Sequence, residues 1–134
     1  MFRISWDLPA EAQHVRLCRN LTRAVLQHMK VEEKEIEELE LAIGELCTNV
    51  VRHANIQSDR SYLVELEIVD SLFSLTVSDV GVGFTPQITE EPTPTESGGL
   101  GLWLVEQLTD HLEFHKAQGK GTVVHAERKL KTAA

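Results

Sequence analysis

Phe2, Ile4, Trp6 and Leu8 alternate with Arg3, Ser5 and Asp7. A period of two predicts a strand over residues 2–8, and Pro9 closes it while opening a helix. From Glu11 the period changes. Val15, Cys18, Leu21, Val25 and Met29 recur at spacings of three and four, one face of an amphipathic helix ending near Met29. Ile36, Leu39, Ile43, Leu46, Cys47 and Val50 mark a second helix over residues 31–55. A polar turn follows at 55–61. Residues 62–69 and 72–78 read as strands joined in a hairpin at Asp70-Ser71. Residues 79–99 carry no period. Leu100, Trp103, Leu104 and Leu108 then share one side of a third helix over 100–111. Two closing strands, 112–117 and 122–130, flank Gly119-Lys120-Gly121, and 131–134 read as a frayed tail.

The order β-α-α-β-β-loop-α-β-β is not the strict alternation of a doubly wound parallel sheet. It predicts an α+β fold, with a mixed sheet carrying helices on one face. At 134 residues the chain reads as a single domain. Its 21 acidic and 13 basic residues leave a net charge of -8. That argues against sequence-independent nucleic-acid binding, which draws its affinity from Lys and Arg on phosphates. No apolar run approaches the ~20 residues of a membrane span, and residues 1–9 hold no signal-peptide core. Cys18 and Cys47 are too few for a disulfide framework and lack metal-site spacing. The start of the second helix is strongly acidic, with Glu32, Glu33, Glu35, Glu37, Glu38 and Glu40 against Lys34. It reads either as a solvated helix start, where acids suit the dipole, or as a dock for a basic partner.

Four clusters carry candidate chemistry. Glu45, Asn49 and His53 are each four apart, so they share one side of the second helix, well off its apolar stripe. An asparagine oxygen suits a hard cation such as Mg²⁺, and a carboxylate one turn away can accept a proton. Asp79-Val80-Gly81-Val82-Gly83-Phe84 follows a strand directly; its glycines permit close approach of a ligand, and its carboxylate can accept from an amino group. Gly98-Gly99-Leu100-Gly101-Leu102 enters a helix, whose free N–H groups and dipole favour an anion. No Gly-Lys-Ser/Thr follows, so it is not a P-loop. Gly121-Thr122 places a hydroxyl at the start of the last strand. Alone, each has a plainer reading: a solvated helix face, a structural histidine, a turn, a hinge.

In combination the clusters run Glu45-x-x-x-Asn49, Asp79-x-Gly81-x-Gly83, a long loop, Gly99-x-Gly101-Leu102, then Gly121-Thr122. This order resembles the ATPase superfamily of gyrase, Hsp90, histidine kinases and MutL. The stretch Glu45-Leu46-Cys47-Thr48-Asn49-Val50-Val51-Arg52-His53-Ala54 is most similar to the bacterial anti-sigma factor serine/threonine kinases. The resemblance spans about residues 2–130. It implies a two-layer α/β sandwich of the Bergerat type with a mostly antiparallel sheet, binding ATP or ADP and Mg²⁺. On the matching positions it implies Asn49 as the Mg²⁺ ligand and Glu45 as general base on a target hydroxyl. Asp79 would read the adenine amino group, with Gly81 and Gly83 admitting the base. Gly98, Gly99, Leu100, Gly101 and Leu102 would line the phosphates. Thr122 would sit at the adenine side, His53 would belong to the nucleotide site, and 84–98 would form a lid.

The resemblance further implies a cytoplasmic protein that binds a sigma factor and phosphorylates a serine on an antagonist protein, as a homodimer without nucleic-acid or membrane contact. A non-catalytic ATP-gated binding module and an activator of a signalling phosphatase or cyclase are the alternative readings. Five of the 8 glycines and three of the 4 prolines fall between Gly81 and Gly101, so ordinary totals conceal one concentrated lid. That lid holds no Lys or Arg but three glutamates, Glu90, Glu91 and Glu96; the next cations along the chain are Lys116 and Lys120. Its phosphates would therefore rest on Mg²⁺ and backbone N–H groups rather than on side-chain cations.

Overall fold

The computed structural model describes residues 1–53, 61–79, 99–116 and 122–131. Strand β1 is Phe2–Pro9, helix α1 Val15–His28, helix α2 Glu33–His53, strands β2 and β3 Ser61–Val69 and Leu72–Asp79, helix α3 Gly99–Leu108, and strands β4 and β5 His111–Lys116 and Thr122–Lys129. The element order matches the sequence expectation. The two largest boundary shifts, at the start of the first helix and the end of the third, have local reasons.

The first helix starts later than Glu11, because Ala12–His14 form a separate 3₁₀ turn. It stops at His28 through a left-handed residue, Lys30, at φ 61°. Lys30 N–H donates to the Gln27 carbonyl at 3.0 Å, and Val31 N–H donates to that of Leu26 at 3.0 Å. This paired reversal is the Schellman motif, and buried Val31 and Leu26 supply its apolar contact. The third helix ends at Leu108, not His111. Asp110 is claimed by β5 instead: its N–H donates to the Glu127 carbonyl at 2.8 Å, and its carboxylate accepts the Lys129 N–H at 2.6 Å.

The sheet order is β1-β2-β3-β5-β4. Every pairing is antiparallel, so the expected mixed sheet contains no parallel pair among the described residues. Connectivity explains this. Helices α1 and α2 form an antiparallel pair, so the chain re-enters the sheet at the end it left and β2 runs against β1. Asp70 and Ser71, at φ 48° and 68°, make a tight hairpin whose two positive φ values match strand twist. β5 then inserts between β3 and β4, running against both.

One face of the sheet is apolar. Tyr62, Val64, Leu66 and Ile68 alternate inward from β2, and Phe73, Leu75 and Val77 from β3. Ile36, Leu39, Ile43, Leu46 and Val50 of α2 lie against them, with Leu102 and Val105 of α3 and Leu26 of α1. Fully burying each such side chain contributes about 1.5–3 kcal/mol. The opposite parity, including Arg3, Glu65, Glu67, Thr76 and Glu127, remains at least partly exposed. The helices therefore occupy one face, as expected.

Register fixes two poles. Pro9, Ser61, Asp79 and Thr122 lie at one end of the sheet, with the C-terminus of α2 and the N-terminus of α3. The other pole holds Arg128. Its guanidinium donates to Glu35 at 3.1 Å, to Glu38 at 2.9 Å and to the Leu108 carbonyl at 3.1 Å, while Lys131 N–H donates to Glu35 at 3.0 Å. Glu35 is only 3% exposed. The acidic start of α2 is thus not simply solvated. Arg128 joins it to β5 and α3, and Arg23 of α1 pairs with Glu33 and Glu40. Its basic partners lie within the chain.

Candidate nucleotide site

At the first pole the sequence clusters meet. The apolar stripe of α2 faces the sheet, which turns the Glu45 and Asn49 side toward α3. Asn49 is 4% exposed, and among the described residues no donor reaches its Oδ1. An amide oxygen buried without a partner loses its hydration for nothing, a cost of about 1–3 kcal/mol. A ligand that coordinates it removes that cost. Mg²⁺ takes one or two protein oxygens and fills its octahedron with water and phosphate, so a single neutral oxygen suits it. No group of three His, Cys, Asp or Glu that could hold a metal occurs among the described residues.

Glu45 is half-buried. A Cβ built on Gly101 would collide with its carboxylate, which places that carboxylate against the first turn of α3. A glycine permits that close approach, and the positive end of the helix dipole favours the negative charge. Carboxylate, amide oxygen and helix N-terminus thus share one corner of the molecule. Gly44, the residue before Glu45, is similarly covered: a Cβ there would lie 2.9 Å from Cδ of Arg19.

Asp79 and Thr122 are direct cross-strand partners, and Tyr62 is the partner of Asp79 on its other side. Asp79 and Thr122 are each 2% exposed, on the inner face and at the same end as Asn49. A carboxylate and a hydroxyl in register form a polar floor beneath the helices. Each makes polar contacts of its own.

The side chain of Leu102 is in the core, so only its backbone can face a ligand. Gly99 and Leu100 form the first turn of α3 as expected, and His53 ends α2 one turn beyond Asn49. Gly81, Gly83, Gly98, Lys120 and the lid at 84–98 lie outside the described residues. A cavity of about 430 Å³ sits at the other pole, walled partly by Arg128, Glu35 and Glu38, which already satisfy one another.

Sequence reading missed three participants. Tyr62 appeared only as a strand residue, although its pairing with Asp79 places it beside the polar floor. Arg128 was detectable, as a cation at the inward parity of the last strand after Thr122, Val124 and Ala126. Cys18, set aside for its spacing from Cys47, accepts the Trp6 indole N–H at 3.3 Å in the layer between sheet and helices.

The sequence profile of the histidine kinase-like ATPase domain matches residues 8–127. A serine-protein kinase RsbW of Staphylococcus epidermidis is 30% identical over 128 residues, covering 87% of this chain and 80% of that protein. A serine-protein kinase RsbW of Listeria innocua is 29% identical over 133 residues, covering 91% and 85%. Among solved structures, the RsbU and RsbW domains of a Mycobacterium tuberculosis protein superpose with a TM-score of 0.74 at 20% identity, over 99% of this chain and 34% of that one. At that identity the superposition establishes the fold.

Proposed function

The chain belongs to the histidine kinase-like ATPase domain family, among the serine-protein kinases named RsbW, and on that premise we propose that it is an ATP-dependent protein serine/threonine kinase and anti-sigma factor of a partner-switching pathway. The observation that carries this reading is the buried, unpartnered Oδ1 of Asn49, one turn from Glu45 and beside the N-terminus of α3.

Each residue's task follows from its chemistry. Asn49 Oδ1 holds Mg²⁺. When bound, the ion neutralises negative charge on the triphosphate. The free N–H groups of the first turn of α3, from Gly99 to Leu102, bind phosphate oxygens, which suits a lid without cations. Asp79 accepts a hydrogen bond from the adenine amino group, with Thr122 beside it. Glu45 accepts the proton of the incoming serine hydroxyl. Positioning and charge neutralisation dominate phosphoryl transfer, so holding base and metal ligand on one helix is the central economy. The acceptor is a serine on an antagonist protein, the second partner is a sigma factor, and the working form is a cytoplasmic homodimer. No helix among the described residues is long and apolar enough to cross a membrane.

Two variants test this. Glu45→Ala is expected to lower phosphate transfer by about 10²–10⁴-fold while nucleotide still binds. Asn49→Ala is expected to weaken nucleotide binding in Mg²⁺ but not in chelator, as read by calorimetric titration. Unchanged transfer in the first variant would remove Glu45 as the base, and absent transfer by wild type with nucleotide bound would leave an ATP-gated binding module instead. Unchanged Mg²⁺ dependence in the second would remove the metal assignment.

A further inference from the structure

One guanidinium, on β5, reaches both helices of the site at the ends remote from it. Arg128 Nη1 donates to the Leu108 carbonyl at 3.1 Å. Leu108 is the last residue of α3, so its carbonyl has no N–H partner within the helix. Arg128 Nη2 donates to Glu35 Oε1 at 3.1 Å and to Glu38 Oε1 at 2.9 Å, both in the opening turns of α2. The Arg128 side chain is only 12% exposed. Glu35 also takes the Lys131 N–H at 3.0 Å, so this carboxylate is held from two sides. The charges suit both helices: a cation stands at the negative end of α3, and carboxylates stand at the positive end of α2. A planar guanidinium fork serves several acceptors in fixed directions, which the compact ammonium of a lysine cannot do.

Helix α3 has 10 residues, and at that length it spans about 15 Å. Its first turn, at the opposite end from Arg128, lies against Glu45 through Gly101. Between the two ends, Leu102 and Val105 are buried in the core and form a pivot. Asp110 ties the turn after α3 to β5, through its N–H and its carboxylate. Arg128 adds the tie to α2, the helix that carries Glu45 and Asn49. A rigid helix rocking on its middle moves both ends, so a release at Leu108 is felt at Gly99–Leu102. We propose that Arg128 is a positioning residue for the nucleotide site: by holding the end of α3 to the start of α2, it sets how the first turn of α3 stands against Glu45 and Asn49. The proposal rests on the nucleotide reading above. Its leverage is large, because a misplacement of about 1 Å at reacting groups can cost about 10²-fold in rate.

Two variants of the full chain separate positioning from stability. Arg128→Lys keeps a cation beside buried Glu35 but loses the fork. Glu38→Gln weakens the same cluster and leaves the bonds to Leu108 and Glu35. Both are studied at a temperature where circular dichroism shows them folded. In Arg128→Lys, amide hydrogen exchange along α3 is expected to rise by about tenfold or more, while β2 and β3 keep their protection. Its ATP affinity in calorimetric titration is expected to fall by about fivefold or more, the worth of one well-aligned hydrogen bond to phosphate. The loss is expected with Mg²⁺ and in chelator alike, because phosphate-facing N–H groups move, unlike the Mg²⁺-dependent loss in Asn49→Ala. Glu38→Gln is expected to match wild type in ATP affinity and in α3 exchange, although it unfolds at a lower temperature. The proposal is overturned if folded Arg128→Lys binds ATP as wild type does, or if its α3 exchange is unchanged. It is also overturned if Glu38→Gln loses as much affinity, since the loss would then follow the stability of the cluster. Wild type that binds no ATP in either buffer would refute the nucleotide reading, while exchange along α3 still decides whether Arg128 holds that helix.

Discussion

At the scale of single residues, the site depends on two exclusions. Asn49 Oδ1 meets no donor among the described residues, and Gly101 has no side chain where the Glu45 carboxylate reaches the start of α3. The second can be tested separately from folding. In Gly101→Ala the new methyl meets the far end of a flexible carboxylate, which can rotate aside. Alanine also improves helix propensity by about 1 kcal/mol. Stability in urea is therefore expected to change by less than about 1 kcal/mol. Phosphate transfer is expected to fall by tenfold or more, because the base is displaced from the helix terminus. Normal transfer in a well-folded Gly101→Ala variant would show that Glu45 acts from another position.

At the scale of elements, the chain reverses direction twice through left-handed residues that are not glycine. Lys30 closes α1 and Ser71 closes the β2–β3 hairpin. A side chain in that conformation costs about 1 kcal/mol relative to glycine. Lys30→Gly and Ser71→Gly are each expected to raise unfolding free energy by about 0.5–1 kcal/mol, measured by chemical denaturation. The gains are expected to add, because the Schellman turn and the hairpin are separate structures. A loss of stability in Lys30→Gly would mean that the lysine side chain contributes more than its strained backbone costs. The Ser71 carbonyl also accepts the Leu130 N–H at 2.7 Å, so the hairpin turn anchors the end of β5.

At the scale of the whole molecule, the fold has a chemical pole and a structural pole. Arg128 ties the structural pole together by joining the start of α2, the end of α3 and the end of β5. Removing it would leave the buried carboxylate of Glu35 without its cation, at a cost of about 3–5 kcal/mol. Arg128→Ala is expected to lose that amount near neutral pH, read as a lower denaturation midpoint. The sign of the pH effect follows from Glu38. Its carboxyl is held below the ordinary range, chiefly by the Arg128 hydrogen bond. Its stabilisation is present above that ordinary range and disappears as pH falls through the lowered value. The gap between wild type and variant is therefore expected to narrow in acid, below about pH 4. A gap constant from neutral pH to acid would assign the loss to packing rather than charge.

Much of this was legible along the chain, for identifiable reasons. Period two and period 3.6 are local properties, so five strands, three helices and their order follow from residues such as Phe2–Leu8 and Ile36–Val50. Glycine spacing and Glu45-x-x-x-Asn49 are local as well, and they carried the family. What required the folded chain was contact between distant residues. No local pattern shows that Asp79 pairs with Thr122, that the acidic run on α2 finds Arg23 and Arg128, or that Leu102 points into the core. Nor does spacing reveal that Cys18 accepts the Trp6 indole N–H and lies beside the Tyr62 hydroxyl. Periodicity proposes an apolar face for each element; register and layer packing decide which face is buried and what it meets, and in α3 they bury Leu102 and Val105 more deeply than Trp103 and Leu104. The candidate site arises at such a meeting.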